Sequence, residues 1–401
     1  MSVAVIVNSK RYSGRADDSW REPESRGLAW NWISASAGMT LLAFAIHSLL
    51  HVIAIAAEAP KWQTEWQRTI EGAKKEGQLS LYGGQEITHP DIVAAFNKEF
   101  PFIKVTTTSG RGGDLLARII SERRADKYLA DVIATGPNGP RMLYLAKALD
   151  PIAPAFILPE VTDTSKWYGR KHWYADPENQ YIFIYEGTLN STGLSYNTKL
   201  VNPGEITSYG DLLRPKWKGK ILTLDPRGAV PPTQVLTLYH TPTLGPDFVR
   251  RFYTDTEITF FRDRRQGTNW LATGKFPLCF LCRDIEKVRE QGLPVDVILA
   301  DRIKEGGTLG GGSASVLALI NRAPHANAAK VFINWYLSRQ GQMVWQKVMN
   351  IRELEGSESM RNDISKEDVL PDGRRVEGKE YQVIGFLDPE PVQKLLQEIL
   401  K

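Results

Sequence analysis

Residues 79–135 read LSLYGGQEITHPDIVAAFNKEFPFIKVTTTSGRGGDLLARIISERRADKYLADVIAT and decide the fold. Leu79–Tyr82 is a short apolar run, Asp91–Phe100 has helical spacing, Ile103–Thr108 is a second run, and Asp114–Arg124 is a second helical pattern. Asp131–Thr135 is a third run, with a helix expected around Arg141–Ala148. Such β-α-β-α alternation predicts an open, mostly parallel sheet covered by helices on both faces. Ligands of these sheets sit beyond the carboxyl ends of the strands. Those ends are Gly83-Gly84, Ser109-Gly110 and Gly136, where small residues let a ligand approach the backbone.

A second unit of the same kind is expected from about Asn197 to Ala300, with strands at Ile221–Leu224, Ile258–Phe261, Phe276–Leu281 and Val295–Leu299. Tyr181–Tyr185, Leu194–Tyr196 and Ser315–Ile320 read as further strands, and Asn327–Ser338, Gln342–Val348 and Val392–Leu400 as helices. The connections near 180–196 and 300–316, the second carrying the glycine-rich 306–313, read as crossings between two lobes. The domain reading is an extension and leader at 1–56, a first lobe at 57–195, a second lobe at 196–304, and a return to the first lobe at 305–401 with the C-terminal helices.

Upstream, Leu41–Ala57 is apolar and ends in two A-x-A sites, Ala54-Ile55-Ala56 and Ala57-Glu58-Ala59. That pattern marks a secretory leader cut near Ala57. A run this short is at the lower limit for a membrane span, and it carries His47 and His51. No Cys precedes Cys279, so no lipid anchor follows the leader. The formal charge of +4 on 401 residues is too small a bias for a nucleic-acid partner. The chain has no G-x-S-x-G, H-E-x-x-H or P-loop, and His89, His172, His240 and His325 lack metal-ligand spacing.

Several strand-end residues suit an anion. Ser109-Gly110-Arg111-Gly112-Gly113-Asp114 joins a strand to a helix start, where free backbone N–H groups and the helix dipole favour negative charge and Arg111 adds a forked donor. Arg283-Asp284 follows the strand Phe276–Leu281; the plainer reading makes Asp284 the cap of a helix Asp284–Gln291. Arg227 follows Ile221–Leu224, and Arg265 lies in a run, Arg264–Thr268, that precedes a further helix. Arg262 and Arg264 read as a solvated face. Ser313 closes the glycine-rich crossing. Trp167, Tyr168, Trp173, Tyr174, Tyr181 and Tyr185 line a cleft or pack a core. Cys279 and Cys282 form a C-x-x-C, read as thiols because strand residues three apart face opposite ways; a structural disulfide and a redox pair are the alternatives.

Three stretches together resemble the extracellular solute-binding proteins of ABC importers, more narrowly the cluster with ferric-ion-binding and phosphorylated-solute-binding members. They are WQRTIEGAKKEGQLSLY at Trp66–Tyr82, YNTKL at Tyr196–Leu200 with DLLRPKWKGKI at Asp211–Ile221, and the stretch from Ala314 containing PHANAAKVFINWYLSRQGQ. The resemblance implies an α/β fold of two lobes, joined by two crossover hinge strands and closing on a ligand. It implies a monomeric periplasmic binding protein, not an enzyme, that needs no cofactor and delivers its solute to a membrane permease driven by an ATPase.

In ferric-binding relatives, a pair of iron-ligating tyrosines sits about where Arg283 and Asp284 stand here, a His near Glu86 or Gln85, and a carboxylate near Thr135-Gly136. An arginine repels a ferric ion and suits an anion. The expected ligand is therefore a small phosphate- or carboxylate-bearing solute, held by Gly83, Gly84, Ser109, Arg111, Gly112, Gly113, Gly136, Arg227, Arg265, Arg283, Asp284 and Ser313, with no protein-held metal. A ferric or metal–anion binder is the alternative in the same class. An exported enzyme using Cys282 or the arginine cluster is the alternative outside it.

Overall fold

The computed structural model describes residues 60–110, 112–189, 191–227, 231–299, 302–309, 316–351, 357–369, 373–375, 381–383 and 386–401. The leader, its A-x-A sites, Arg111 and Ser313 lie outside these residues.

In chain order the first part holds α1 (Lys61–Glu76), β1 (Gln78–Gly83), α2 (Gln85–Thr88), α3 (Pro90–Glu99), β2 (Lys104–Ser109), α4 (Gly112–Arg124), β3 (Val132–Thr135), α5 (Asn138–Leu145), β4 (Leu149–Asp150), α6 (Pro159–Thr162) and β5 (Ile182–Ile184). The middle holds β6 (Thr188–Leu189), β7 (Ser191–Asn197), β8 (Ile221–Leu224), α7 (Thr233–His240), α8 (Gly245–Thr254), β9 (Thr259–Phe261), α9 (Arg264–Ala272), β10 (Leu278–Phe280), α10 (Ile285–Glu290), β11 (Val295–Leu299) and β12 (Thr308–Leu309). The remainder holds β13 (Val316–Ile320), α11 (Ala326–Leu337), α12 (Arg339–Met349), β14 (Gln382–Val383) and α13 (Glu390–Ile399).

Two large sheets result. The first runs β2-β1-β3-β13-β4 with β5 also on β13; β1, β2 and β3 are parallel and β13 is antiparallel to β3. Every residue of β3 and β13 is buried, the continuous apolar run expected of strands covered on both faces. The edge strand β2, KVTTTS, is polar and mostly exposed. Helices α1, α3, α11 and α12 close one face around Phe96, Phe332, Trp335 and Trp345. Glu76, at the end of α1, accepts the N–H groups of Asn327 and Ala328 and so satisfies the start of α11. Trp167 and Tyr185 are core residues of this cluster, which settles that part of the aromatic group as packing.

The second sheet runs β11-β7-β10-β8-β9, with β8, β9 and β10 parallel and β7 antiparallel to both β10 and β11. Its larger core gathers Phe248, Phe252, Phe280 and Trp217 with Val392, Leu395 and Leu396 of α13. The segment 305–401 thus divides. Helices α11 and α12 return to the first sheet, whereas α13 packs with the second.

The two crossings meet directly. β6 and β12 pair antiparallel, Thr308 opposite Leu189, and β14 adds a third, parallel strand on β12. The fold is α/β with two lobes joined by hinge strands. β14 is a further crossing that sequence patterning does not show, because a two-residue strand has no periodicity of its own.

Candidate functional site

In each sheet the chain runs outward from one central strand in both directions. β1 lies between β2 and β3, and β8 between β9 and β10. In open α/β sheets ligands bind where the winding reverses, which here means the carboxyl ends of β1/β3 and of β8/β10.

On the first face the three strand ends are level, with Gly83 opposite both Ser109 and Ala134. Gly83 has no room for a side chain: a Cβ there would stand 2.2 Å from Ile87 Cγ2 and 2.4 Å from the Ala134 carbonyl. Ser109 Oγ lies 3.0 Å from Thr88 Oγ1, and Thr88 Oγ1 also donates to the Gly84 carbonyl at 2.8 Å. The Gly84 N–H donates to Glu86 Oε1 at 2.9 Å. Glu86 is 5 % exposed, and burial pushes its carboxyl up to about 7 against the backbone N–H groups that favour the carboxylate.

Gly112, first in α4, packs on the start of α5. A Cβ on it would sit 3.1 Å from Thr135 Oγ1 and 3.6 Å from the Gly139 N–H. The N-terminal turns of α4 and α5 are thus brought together at the end of β3, with the half-buried Gly136 between strand and helix. Gly113 meets nothing within 4 Å.

On the second face the strand ends carry charge. Asp225, just past β8, receives Arg227 Nε at 2.8 Å and Nη2 at 2.8 Å, and Arg262 Nε at 3.2 Å. The Arg227 guanidinium holds the Asp225 carboxyl down to about 2. Arg227 also donates to the Leu400 carbonyl (3.3 Å) and lies over the Phe260 ring. With Pro226 and Pro231 it lines a shallow pocket against Gln393, Leu396 and Gln397 of α13. The expectation of Arg227 as a ligand arginine therefore meets a guanidinium already engaged. Arg262, expected as plain solvated face, is 85 % exposed yet joins the same carboxylate.

Arg264 and Arg265 lie inside α9 rather than ahead of it. Asp263 caps that helix by accepting the Gln266 N–H, and Arg265 is exposed on its first turn. Arg283 is exposed, and its carbonyl accepts Thr268 Oγ1 at 2.9 Å. Asp284 stands just before α10 with φ 57° and makes no capping hydrogen bond; its carboxylate pairs with Lys287 at 3.3 Å. The capping reading fails because a left-handed backbone aims the side chain away from the helix start.

Cys279 and Cys282 form a disulfide, their Cα atoms 5.8 Å apart. The expectation of thiols fails for one reason. Strand alternation ends at Phe280, and Leu281 takes φ 69°, which turns Cys282 back onto Cys279.

One residue of this region escapes sequence reasoning. Arg141, one turn into α5, is largely buried; its Nε has no hydrogen-bond partner among the described residues, and Nη2 lies 3.9 Å from Asp388 Oδ1. No motif marks it, since it reads as an ordinary helix-surface arginine. Among the described residues no three His, Cys, Asp or Glu side chains are grouped to hold a metal, and no helix is long and apolar enough to cross a membrane.

The fold has solved counterparts. The iron- and citrate-bound FutA (IdiA) protein of Trichodesmium is 17% identical, covering 81% of this chain and 97% of its own, with a TM-score of 0.57. Iron-bound HitA of Pseudomonas aeruginosa is 18% identical over 80% and 99%, with a TM-score of 0.52. AfuA of Actinobacillus pleuropneumoniae, with fructose-6-phosphate, is 17% identical over 80% and 97%, with a TM-score of 0.51. Residues 91–352 match the family described as bacterial extracellular solute-binding protein. The chain belongs to that family, the periplasmic receptors that serve ABC importers.

Proposed function

We propose that this receptor captures a small anionic solute, phosphate- or carboxylate-bearing, between the strand ends of its two sheets and delivers it to an ABC permease. The observation that carries the reading is the unlike chemistry of the strand ends at the two winding reversals. One offers the clustered helix starts of α4 and α5, and the other a group of arginines at the ends of β8, β9 and β10. Backbone N–H groups and guanidinium groups together meet the needs of a desolvated anion, whose burial is unfavourable unless it is paired and hydrogen-bonded. AfuA with its sugar phosphate and FutA with its iron and citrate include two anions of this kind.

Within the site, Ser109, Gly112, Gly113 and Gly136 supply donors from one lobe, while Gly83 and Gly84 admit Ile87, the Ala134 carbonyl and the Glu86 carboxyl and so shape the site from beneath. Arg265 and Arg283 supply charge from the other. Arg227, paired with Asp225, and Asp284, paired with Lys287, belong to the same group of strand-end charges. The lobes are 57–195 and 196–304, with 305–401 shared between them. Export with removal of the leader leaves a mature chain that begins near Ala57.

Mass spectrometry of solute released by denaturing protein from the native host tests the reading. Recovery of a phosphorylated or carboxylated small molecule, bound again by the purified protein in calorimetry, is the expected result. Recovery of a neutral or cationic solute would overturn it, and ferric ion without an anion would return the metal-binding alternative.

A further inference from the structure

The Cys279–Cys282 disulfide lies at the winding reversal of the second sheet, and solute capture as proposed makes no use of it. We propose that it is a thiol–disulfide exchange site, opened by an external dithiol, and that it sets the shape of the loop bearing Arg283. This deepens the anionic-solute reading and rests on that reading only for its effect on binding.

The two sulfurs differ in access. Cys279 is fully buried in β10, paired to Ser195 on one side and Leu222 on the other. Cys282 is half-buried past the strand end, so an incoming thiolate reaches that sulfur first.

The loop between β10 and α10 is Leu281–Asp284. Leu281 and Asp284 take φ of 69° and 57°, left-handed conformations that side chains other than glycine rarely hold unless their surroundings impose them. The restraints on the loop include the Leu281 N–H to the Gly193 carbonyl (2.7 Å), Thr268 Oγ1 to the Arg283 carbonyl (2.9 Å), and the disulfide. The disulfide is the covalent one, and Arg283 is the next residue along.

In the exchange, a thiolate of the dithiol attacks Cys282 Sγ. A mixed disulfide forms, the Cys279–Cys282 bond breaks, and Cys279 leaves as a thiolate that takes up a proton. The second thiol of the reagent, deprotonated, then attacks the mixed disulfide and releases Cys282 as a thiolate, which is also protonated. The protein gains two electrons and two protons, and the dithiol becomes its cyclic disulfide. Cys279 is held beside Cys282 and attacks back, so a monothiol stalls at the mixed disulfide where a dithiol completes the reaction.

The mature chain, without denaturant, is treated with dithiothreitol or with reduced glutathione at equal thiol concentration. Thiols are counted by maleimide mass labelling, amide hydrogen exchange is followed, and calorimetry uses ferric citrate and fructose 6-phosphate as probes. Two thiols are expected with dithiothreitol and far fewer with glutathione. Exchange at Leu281 and along 285–290 should rise tenfold or more, with Leu81 and Leu317 unchanged, and a probe that binds should lose at least tenfold in affinity. A bond that opens only when the chain unfolds, or reduction that leaves exchange at 281–290 unaltered, would overturn the proposal. So would equal affinity in both redox states. If neither probe binds, the exchange data still decide the clasp, and the solute reading fails separately for those ligands. Cys279→Ser/Cys282→Ser should reproduce the reduced state; if it does not fold, reduced wild-type protein carries the test.

Discussion

Glu86 turns its carboxyl back on the residue two before it, taking the Gly84 N–H at 2.9 Å in a position where it is only 5 % exposed. The Gly83-Gly84 turn thus has an acid beneath it whose protonation changes near neutrality.

The pH consequence has a definite sign. The folded-state value is raised from 4.5 to about 7 by burial, so the unfolded chain holds fewer protons across that interval. The neutral acid favours the fold below about pH 4.5, and this stability is lost as pH rises through about 7, roughly 3 kcal/mol at most. Glu86→Gln should flatten this part of the profile. Thermal melts of both proteins between pH 4.5 and 7.5 check it; parallel curves would show that Glu86 is not the titrating group.

Gly83→Ala should be costly and Gly113→Ala harmless to the fold. The first drives a methyl into Ile87 and the Ala134 carbonyl, parting β1 from β3, at a cost of roughly 2 kcal/mol or more. The second places a methyl in open space on a helix, worth up to about 1 kcal/mol of added stability. Urea unfolding of the two variants separates them, and similar midpoints would contradict the packing described.

Arg227 and Arg265 should part company. Arg227→Ala leaves Asp225 with Arg262 as its arginine, and the low acid limb should change. Asp225 is held down to about 2, so its contribution is present above about pH 3.8 and fades as pH falls toward 2; the variant should lose much of that limb. Among the described residues Arg265 pairs with no carboxylate, so Arg265→Ala should leave melting unchanged while weakening the identified solute tenfold or more. Melting curves at pH 2–5 with calorimetry at pH 7 read both. Loss of binding confined to Arg227→Ala would reverse the assignment.

Removing residues 386–401 should expose the second core and leave the first intact, because Val392, Leu395 and Leu396 pack with Phe248 and Phe252. Hydrogen exchange should show lost protection in β8 and α8 while β3 and β13 keep theirs. Uniform loss across both sheets would mean that the two cores melt as one.

Much of the fold is legible from sequence where an element carries its own signal. Ile221–Leu224 and Val295–Leu299 are found at the residues expected, as apolar runs bounded by Lys220, Asp225 and Pro294. The helix starts at Gly112 and Ala326 fall within a few residues of their expected places. Elements defined by a distant partner are not legible: β14 exists through β12, and α2 is a single turn folded over Gly83. The site follows the same rule. Strand-end glycines show in the sequence, but the choice of Asp225 by Arg227, the folding back of Glu86 and the left-handed turn at Leu281 are set by packing.

The interleaving of the two cores bears on the order in which the chain can fold. The first sheet needs β13 (Val316–Ile320), which follows β1 (Gln78–Gly83) only after the whole second sheet, and the second core needs 390–399. A polypeptide that emerges from its N-terminal end cannot complete either core early. Contacts between such distant residues close slowly. The arrangement delays compaction of both cores until the last strands and helix of the chain are available.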